Sequence, residues 1–180
     1  MSNAYIAAFR TPGHESLERW LLEICDDGKV TVNSPQFDYE AEAQIQSNTT
    51  SALVWIRSRQ HDPYQIYTRL GAELQCPWIV VSFLEHIVWE YQMYEGSTLV
   101  DEFVPAPEIW DLDEPKLGDA EKLNRIWGVK PERVQRYLRR WDSSLKVERA
   151  YFGNDHSCYK SPEQGYDFLH AITGLRFPEC

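Results

Sequence analysis

Asp155, His156 and Cys158 fall together in the stretch NDHSCYK, residues 154–160. A carboxylate, an imidazole and a thiol this close could form an activated nucleophile or supply metal ligands, because a thiolate needs a cationic or basic neighbour and zinc takes such donors. The same composition also makes a plain polar turn. The five histidines, at 14, 61, 86, 156 and 170, never stand at i, i+4, so no helix face offers a two-histidine metal site. His14 and His61 are the other pair to consider. Setting AYIAAFRTPGHE above SALVWIRSRQHD aligns Arg10 with Arg57, His14 with His61 and Glu15 with Asp62. If matching strand ends shared one sheet edge, the two imidazoles would converge there. The competing reading is a repeated helix start, where the acid meets the positive end of the helix dipole. The chain has no G-x-S-x-G, H-E-x-x-H, P-loop or G-x-G-x-x-G. No catalytic residue, metal ligand or cofactor is therefore assigned.

Charge is distributed more tellingly than nucleophiles. The formal net charge is −10, which disfavours general attraction to nucleic acid or anionic lipid and suits a cationic partner. Between Asp101 and Glu121 stand eight acids and one lysine; between Lys122 and Arg149 stand nine bases and three acids. An acidic segment thus abuts a basic one. The two could screen each other on one surface. Alternatively, DEFVPAPEIWDLDEP faces outward as an acidic, aromatic-studded binding edge, with Asp101, Glu102, Glu108, Trp110, Asp111, Asp113 and Glu114 as its contact residues. Prolines 105, 107 and 115 oppose regular pairing and suggest an extended segment laid over a sheet.

The elements that would carry these residues follow from periodicity. AYIAAFR (4–10) is a short apolar strand, and Leu17, Trp20, Leu21 and Ile24 form the stripe of an amphipathic helix. Residues 33–51 are polar, a loop around one weak strand. ALVWIR (52–57) is a strand; Asp62 and Pro63 then cap a helix whose apolar face is Tyr64, Tyr67, Leu70 and Leu74, with Pro77 closing it. The run 78–94 is too long for one ordinary strand and breaks near Glu85–His86. Its second half alternates, with Ile87, Trp89, Tyr91 and Met93 on one side and Glu90 and Gln92 on the other, so residues 87–104 make an aromatic hairpin around Gly96 with Trp89 and Tyr91 buried. Residues 118–141 give two helices joined at Gly128, the second burying Val134, Tyr137, Leu138 and Trp141. SPEQ (161–164) is a capping box opening a helix that stops at Gly174. The fold class is α+β: a mixed or antiparallel sheet, two N-terminal-half helices packed on it, and a C-terminal helical layer. One domain spans 1–180, with the sheet part in 1–104 and the helical part in 118–180.

Two stretches resemble known families. KLNRIWGVKPERVQRYL (122–138) resembles the DNA-binding helix-turn-helix in Leu123, Gly128, Val129 and Val134, departing from it at Asn124. That resemblance implies a recognition helix reading DNA with Arg133, Arg136, Arg139 and Arg140. Across the second half of the chain, VWEYQMYEGSTLVDEFVPAPEIWD, GDAEKLNRIWGV and YDFLHAITGLRFP resemble a group of small acidic bacterial proteins that look like immunity proteins of toxin systems. The resemblance implies a non-enzymatic cytoplasmic inhibitor and brings no catalytic residue with it.

The expectation is thus a protein-binding module, an immunity-type inhibitor of a cationic bacterial toxin. A DNA-binding regulator is the first alternative and an enzyme with a site near His14 and His61 the second. Four scattered cysteines without a C-x-x-C pair, no membrane-length apolar run and no signal-peptide pattern place the chain in the cytoplasm without structural metal or disulfide. The sequence leaves oligomeric state open.

Overall fold

The structure is a computed structural model that describes residues 4–11, 15–25, 28–57, 62–84, 87–141 and 163–178. His14, His61, His86 and the NDHSCYK stretch lie outside the described residues, as do Ser161 and Pro162 of the expected capping box.

Eight strands form one sheet: β1 (Ala4–Phe9), β2 (Val30–Val32), β3 (Ala43–Ser47), β4 (Ala52–Ile56), β5 (Pro77–Leu84), β6 (Val88–Glu95), β7 (Thr98–Val104) and β8 (Lys116–Leu117). Their spatial order is β2-β3-β4-β1-β5-β6-β7-β8, with only β2 and β3 parallel. Five helices accompany them among the described residues: α1 (Glu15–Ile24), α2 (Pro63–Leu74), α3 (Ala120–Trp127), α4 (Pro131–Val134) and α5 (Gln164–Thr173). The fold is α+β, as expected.

Alternation in the central strands separates two cores. On one face Ala7, Phe9, Val54, Trp78 and Val80 meet Leu17 and Leu21 of α1 and Ile66, Tyr67 and Leu70 of α2. On the other, Val81, Trp89, Tyr91, Met93 and Phe103 meet Leu123 and Ile126 of α3, Val134 of α4 and Phe168 and Leu169 of α5. The helical halves therefore cover opposite faces. A sheet clad on both sides buries side chains of either parity, which explains why β5 and β1 read as continuous apolar runs.

Local signals set the helix ends. The Asp62 side chain accepts a hydrogen bond from the Tyr64 N–H, and Pro63 opens α2. Gln75 ends that helix in the left-handed conformation, and Pro77, expected to close it, is the first residue of β5 opposite Glu95. Gly71 of α2 lets the helix lie directly on the Trp78 indole, where a Cβ would come within 2.1 Å of its nitrogen. Asp119 caps α3 through the N–H groups of Glu121 and Lys122, and Gly128 ends it at φ 71°. Arg10 donates to the Ile126 carbonyl in the last turn of α3, joining the first strand to the C-terminal layer.

Residues 33–51 enclose one strand, β3, as expected, paired along its length with β4 and over Ala43–Ile45 with β2. Two expectations are corrected here. The strands before His14 and His61 are antiparallel neighbours, Phe9 opposite Ala52 and Ile6 opposite Trp55. Their C-terminal ends thus leave opposite ends of the sheet, and the premise for convergence of the histidines fails. The second helix of the 118–141 pair is one turn, α4, followed by tighter i to i+3 bonds from Tyr137 to Val134 and Leu138 to Gln135. Val134, Tyr137 and Trp141 are buried and Leu138 partly so, but they are not presented by a regular helix.

Candidate functional site: an acidic strap and the cavity beneath it

The hairpin β6–β7 forms where expected, with Tyr91 opposite Phe103 and Gln92 opposite Glu102. Trp89 and Tyr91 are buried and stack around Phe103 and Phe168. Ile87 precedes the strand and is exposed. The other face of β6 departs from the simple alternation, because Glu90 is only 9% exposed.

Pairing explains what surrounds Glu90. Tyr5 lies opposite Ser82 and Ser82 opposite Glu90, so three adjacent strands set these residues in one transverse row on the α2 side. The next row carries Ala7, Val80 and Gln92, and the one after it Phe9, Trp78 and Tyr94. Tyr94 stacks on Trp78 at 4.3 Å between centroids. Its hydroxyl and that of Tyr64, from the first turn of α2, lie within hydrogen-bond distance of each other and of Gln92 Oε1, at 3.1 and 2.8 Å from that oxygen, so two protons are shared among three contacts. Burial and this hydroxyl pair push the Tyr94 phenol well above its ordinary range. Beside the tyrosines lies a cavity of about 200 Å³, lined by Tyr5, Tyr64, Ser82, Glu90, Gln92 and Trp110 among others.

Trp110 arrives from the segment after β7. Pro105 is buried, and its carbonyl accepts the Trp141 N–H at 2.9 Å. Pro107–Trp110 is a short 3-10 turn closed by Asp111 at φ 53° and by the Leu112 N–H bond to the Pro107 carbonyl. The expected extended segment is therefore tied into a turn, a strap rather than a strand. Its turn places the Trp110 indole N–H on Glu90 Oε1. Burial raises the Glu90 carboxyl above its ordinary range, partly opposed by this bond. Trp110 thus fastens the strap to the sheet while its side remains exposed, at 44%.

The acidic residues fall into three groups. Asp101 is buried and does not face a partner: it accepts from the Tyr91 hydroxyl at 2.7 Å and the Asp119 N–H at 2.9 Å, with Lys122 Nζ at 3.6 Å. Its expected role in the contact surface is corrected accordingly, since a carboxylate buried among three donors joins β7 to the start of α3. Glu102 is partly buried and Glu108 exposed, and both are paired, to Lys116 at 3.2 Å and Arg140 at 2.6 Å. Asp111, Asp113 and Glu114 are exposed and form no ion pair with the described residues. Ile109 and Leu112, 43% and 40% exposed, stand between these carboxylates. The cross-screening of acidic and basic segments is therefore real but partial.

The arginines divide likewise. Arg136 lies over the Tyr137 ring and donates to its hydroxyl, and Arg140 is engaged with Glu108. Arg133 and Arg139 are exposed, on α4 and on the irregular segment after it. No second helix long enough to lie along a groove exists there among the described residues.

Comparison with protein-family models, curated proteins and solved structures finds no match for this chain. The geometry stands alone. Sequence reasoning located the strap through its charge density and missed the cavity, because Glu90 and Gln92 in a strand read as solvent-facing. The signal that could have found it is Ser82, a polar residue inside an apolar strand, which pairs directly with Tyr5 on one side and Glu90 on the other.

The outer edge of the sheet adds a neighbouring feature. β8 pairs only with Phe103 and Val104 of β7, so the first five residues of that strand, paired with β6 on one side, have no strand on their outer side among the described residues. Lys122 Nζ donates to the Val100 carbonyl at 3.0 Å, so a charged side chain occupies the edge and opposes strand addition. No helix among the described residues is long and apolar enough to cross a membrane.

Proposed function

We propose that residues 108–114 form a binding surface for a basic protein, and that the chain acts without catalysis as an inhibitor of the immunity type, directed at a cationic toxin in the cytoplasm. One observation carries the reading: Ile109, Trp110 and Leu112 are all 40% exposed or more, interleaved with Asp111, Asp113 and Glu114, which have no internal ion partner among the described residues. An isolated acidic loop would be solvated and unremarked. Large apolar side chains held out between open carboxylates, on a turn fixed by Trp110 and Asp111, fit a partner that brings both cations and apolar surface.

In such an interface the acids set the encounter rate and the aromatic residue supplies the local binding energy. Glu108 already holds Arg140, and an exposed pair of this kind is worth only about 0–1 kcal/mol, so it can be exchanged for a partner's cation. The test is affinity purification from the native host with the wild-type chain and with an Asp111→Lys, Asp113→Lys variant. A basic protein recovered by the first and lost with the second supports the proposal. Recovery of the same proteins by both, or only of acidic ones, would count against it.

A further inference from the structure

We infer that the cavity under Trp110 is a binding site for an alkylammonium group, with Glu90 as its counter-ion. Glu90 is nine-tenths buried, yet only its Oε1 is engaged; Oε2 takes no hydrogen bond from the described residues. Ser82 opposite it likewise has no side-chain hydrogen bond there. Neither appears among the sealed, unsatisfied polar atoms, so both open onto the cavity. A buried carboxylate is costly unless a donor or cation compensates it, and no lysine or arginine among the described residues lines this cavity. Tyr5, Tyr64 and Trp110 add aromatic surface, the surroundings that favour a cation carrying an apolar stem. Gln92 Oε1 is already engaged by the Tyr64 and Tyr94 hydroxyl pair, which turns the polar end of the site toward Glu90 and Ser82.

Size narrows the ligand. About 200 Å³ lies below the roughly 300–1,000 Å³ of sites that enclose a drug-sized molecule. It suits a primary ammonium on a chain of a few carbons and is too small to enclose a nucleotide or a planar cofactor. A free short alkylamine and a lysine side chain presented by a protein share this chemistry.

The inference goes beyond the strap as a binding surface and is tested on the isolated chain. The probe is n-butylammonium chloride, read by the indole N–H resonance of Trp110, assigned as the peak missing in Trp110→Phe. n-Butanol at equal concentration and sodium chloride at equal ionic strength serve as controls. A saturable shift with butylammonium alone, weakened at least tenfold in Glu90→Gln and less in Ser82→Ala, is expected. A short lysine peptide amide forms the second arm: tighter binding than butylammonium assigns the site to a protein side chain, and equal or weaker binding to a free amine. An equal shift with butanol, or none with either amine, overturns the inference. Asp111→Lys with Asp113→Lys should change butylammonium affinity less than twofold, so failure here and failure of the strap reading are separable.

Discussion

Asp101 and Glu90 are two carboxylates of one hairpin with opposite circumstances. Asp101 is surrounded by donors: the Tyr91 hydroxyl, the Asp119 N–H and Lys122. Gly118 makes this possible, since a Cβ there would fall 2.2 Å from the Tyr91 hydroxyl oxygen. Removing a charged acceptor leaves buried donors unsatisfied, so Asp101→Ala should destabilise the fold by about 2–3 kcal/mol, measured by denaturant unfolding. Glu90 has one donor and a raised carboxyl pKa, burial being the main cause. Its folded form keeps the proton to higher pH than the unfolded chain. Any stability it contributes is therefore present below the unfolded pKa of about 4.3 and is lost as pH rises through the folded value. Glu90→Gln, which retains an acceptor for Trp110, should melt with wild type near pH 4 and above it near pH 8. A melting difference that shrinks as pH rises would contradict this.

At the scale of elements, the contact between α2 and β5 shows how a local preference can be overruled. Glycine inside a helix ordinarily costs about 1 kcal/mol relative to alanine, so Gly71→Ala should stabilise an isolated helix. In the protein the new Cβ would meet the Trp78 indole, which is itself held by a 2.7 Å bond to the Gly96 carbonyl and by the Tyr94 ring. Overpacking of this kind costs about 1–3 kcal/mol, and calorimetry should find Gly71→Ala less stable than wild type. The same scale shows what sequence could convey. Trp89, Tyr91 and Met93 alternate plainly, and Asp62–Pro63 announces a helix, because those signals are local. The direction of β4 against β1 depends on which strands meet across more than forty residues, and no local pattern in AYIAAFR or ALVWIR encodes it. Asp101 was misread for a related reason: within a dense acidic run, nothing local separates the one acid that a tyrosine and a helix start enclose from those left in water. The polar row of Tyr5, Ser82 and Glu90 draws one residue from each of three strands and exists only once their register is set.

For the whole molecule, the motifs that carried the resemblance to immunity proteins have structural work of their own. In DEF and the following proline, Asp101 organises α3, Phe103 fills the core and Pro105 receives Trp141; in GDAEK, Gly118 admits Tyr91 and Asp119 caps the helix. These residues specify the scaffold, and the proposed binding segment 108–114 lies between them in the chain. The net charge of −10 lies over a scaffold clad on both faces, and Asp111, Asp113 and Glu114, which form no ion pair with the described residues, stand beside exposed apolar side chains. Association with a basic partner should then be steered by long-range attraction and be sensitive to salt. The most direct measurement is the association rate constant of the basic protein recovered with the chain, followed by stopped flow over a series of salt concentrations. The account predicts that Asp111→Lys with Asp113→Lys lowers this rate about tenfold or more at low salt and flattens its salt dependence, with an unchanged melting temperature. An association rate and salt dependence equal to those of wild type would contradict it.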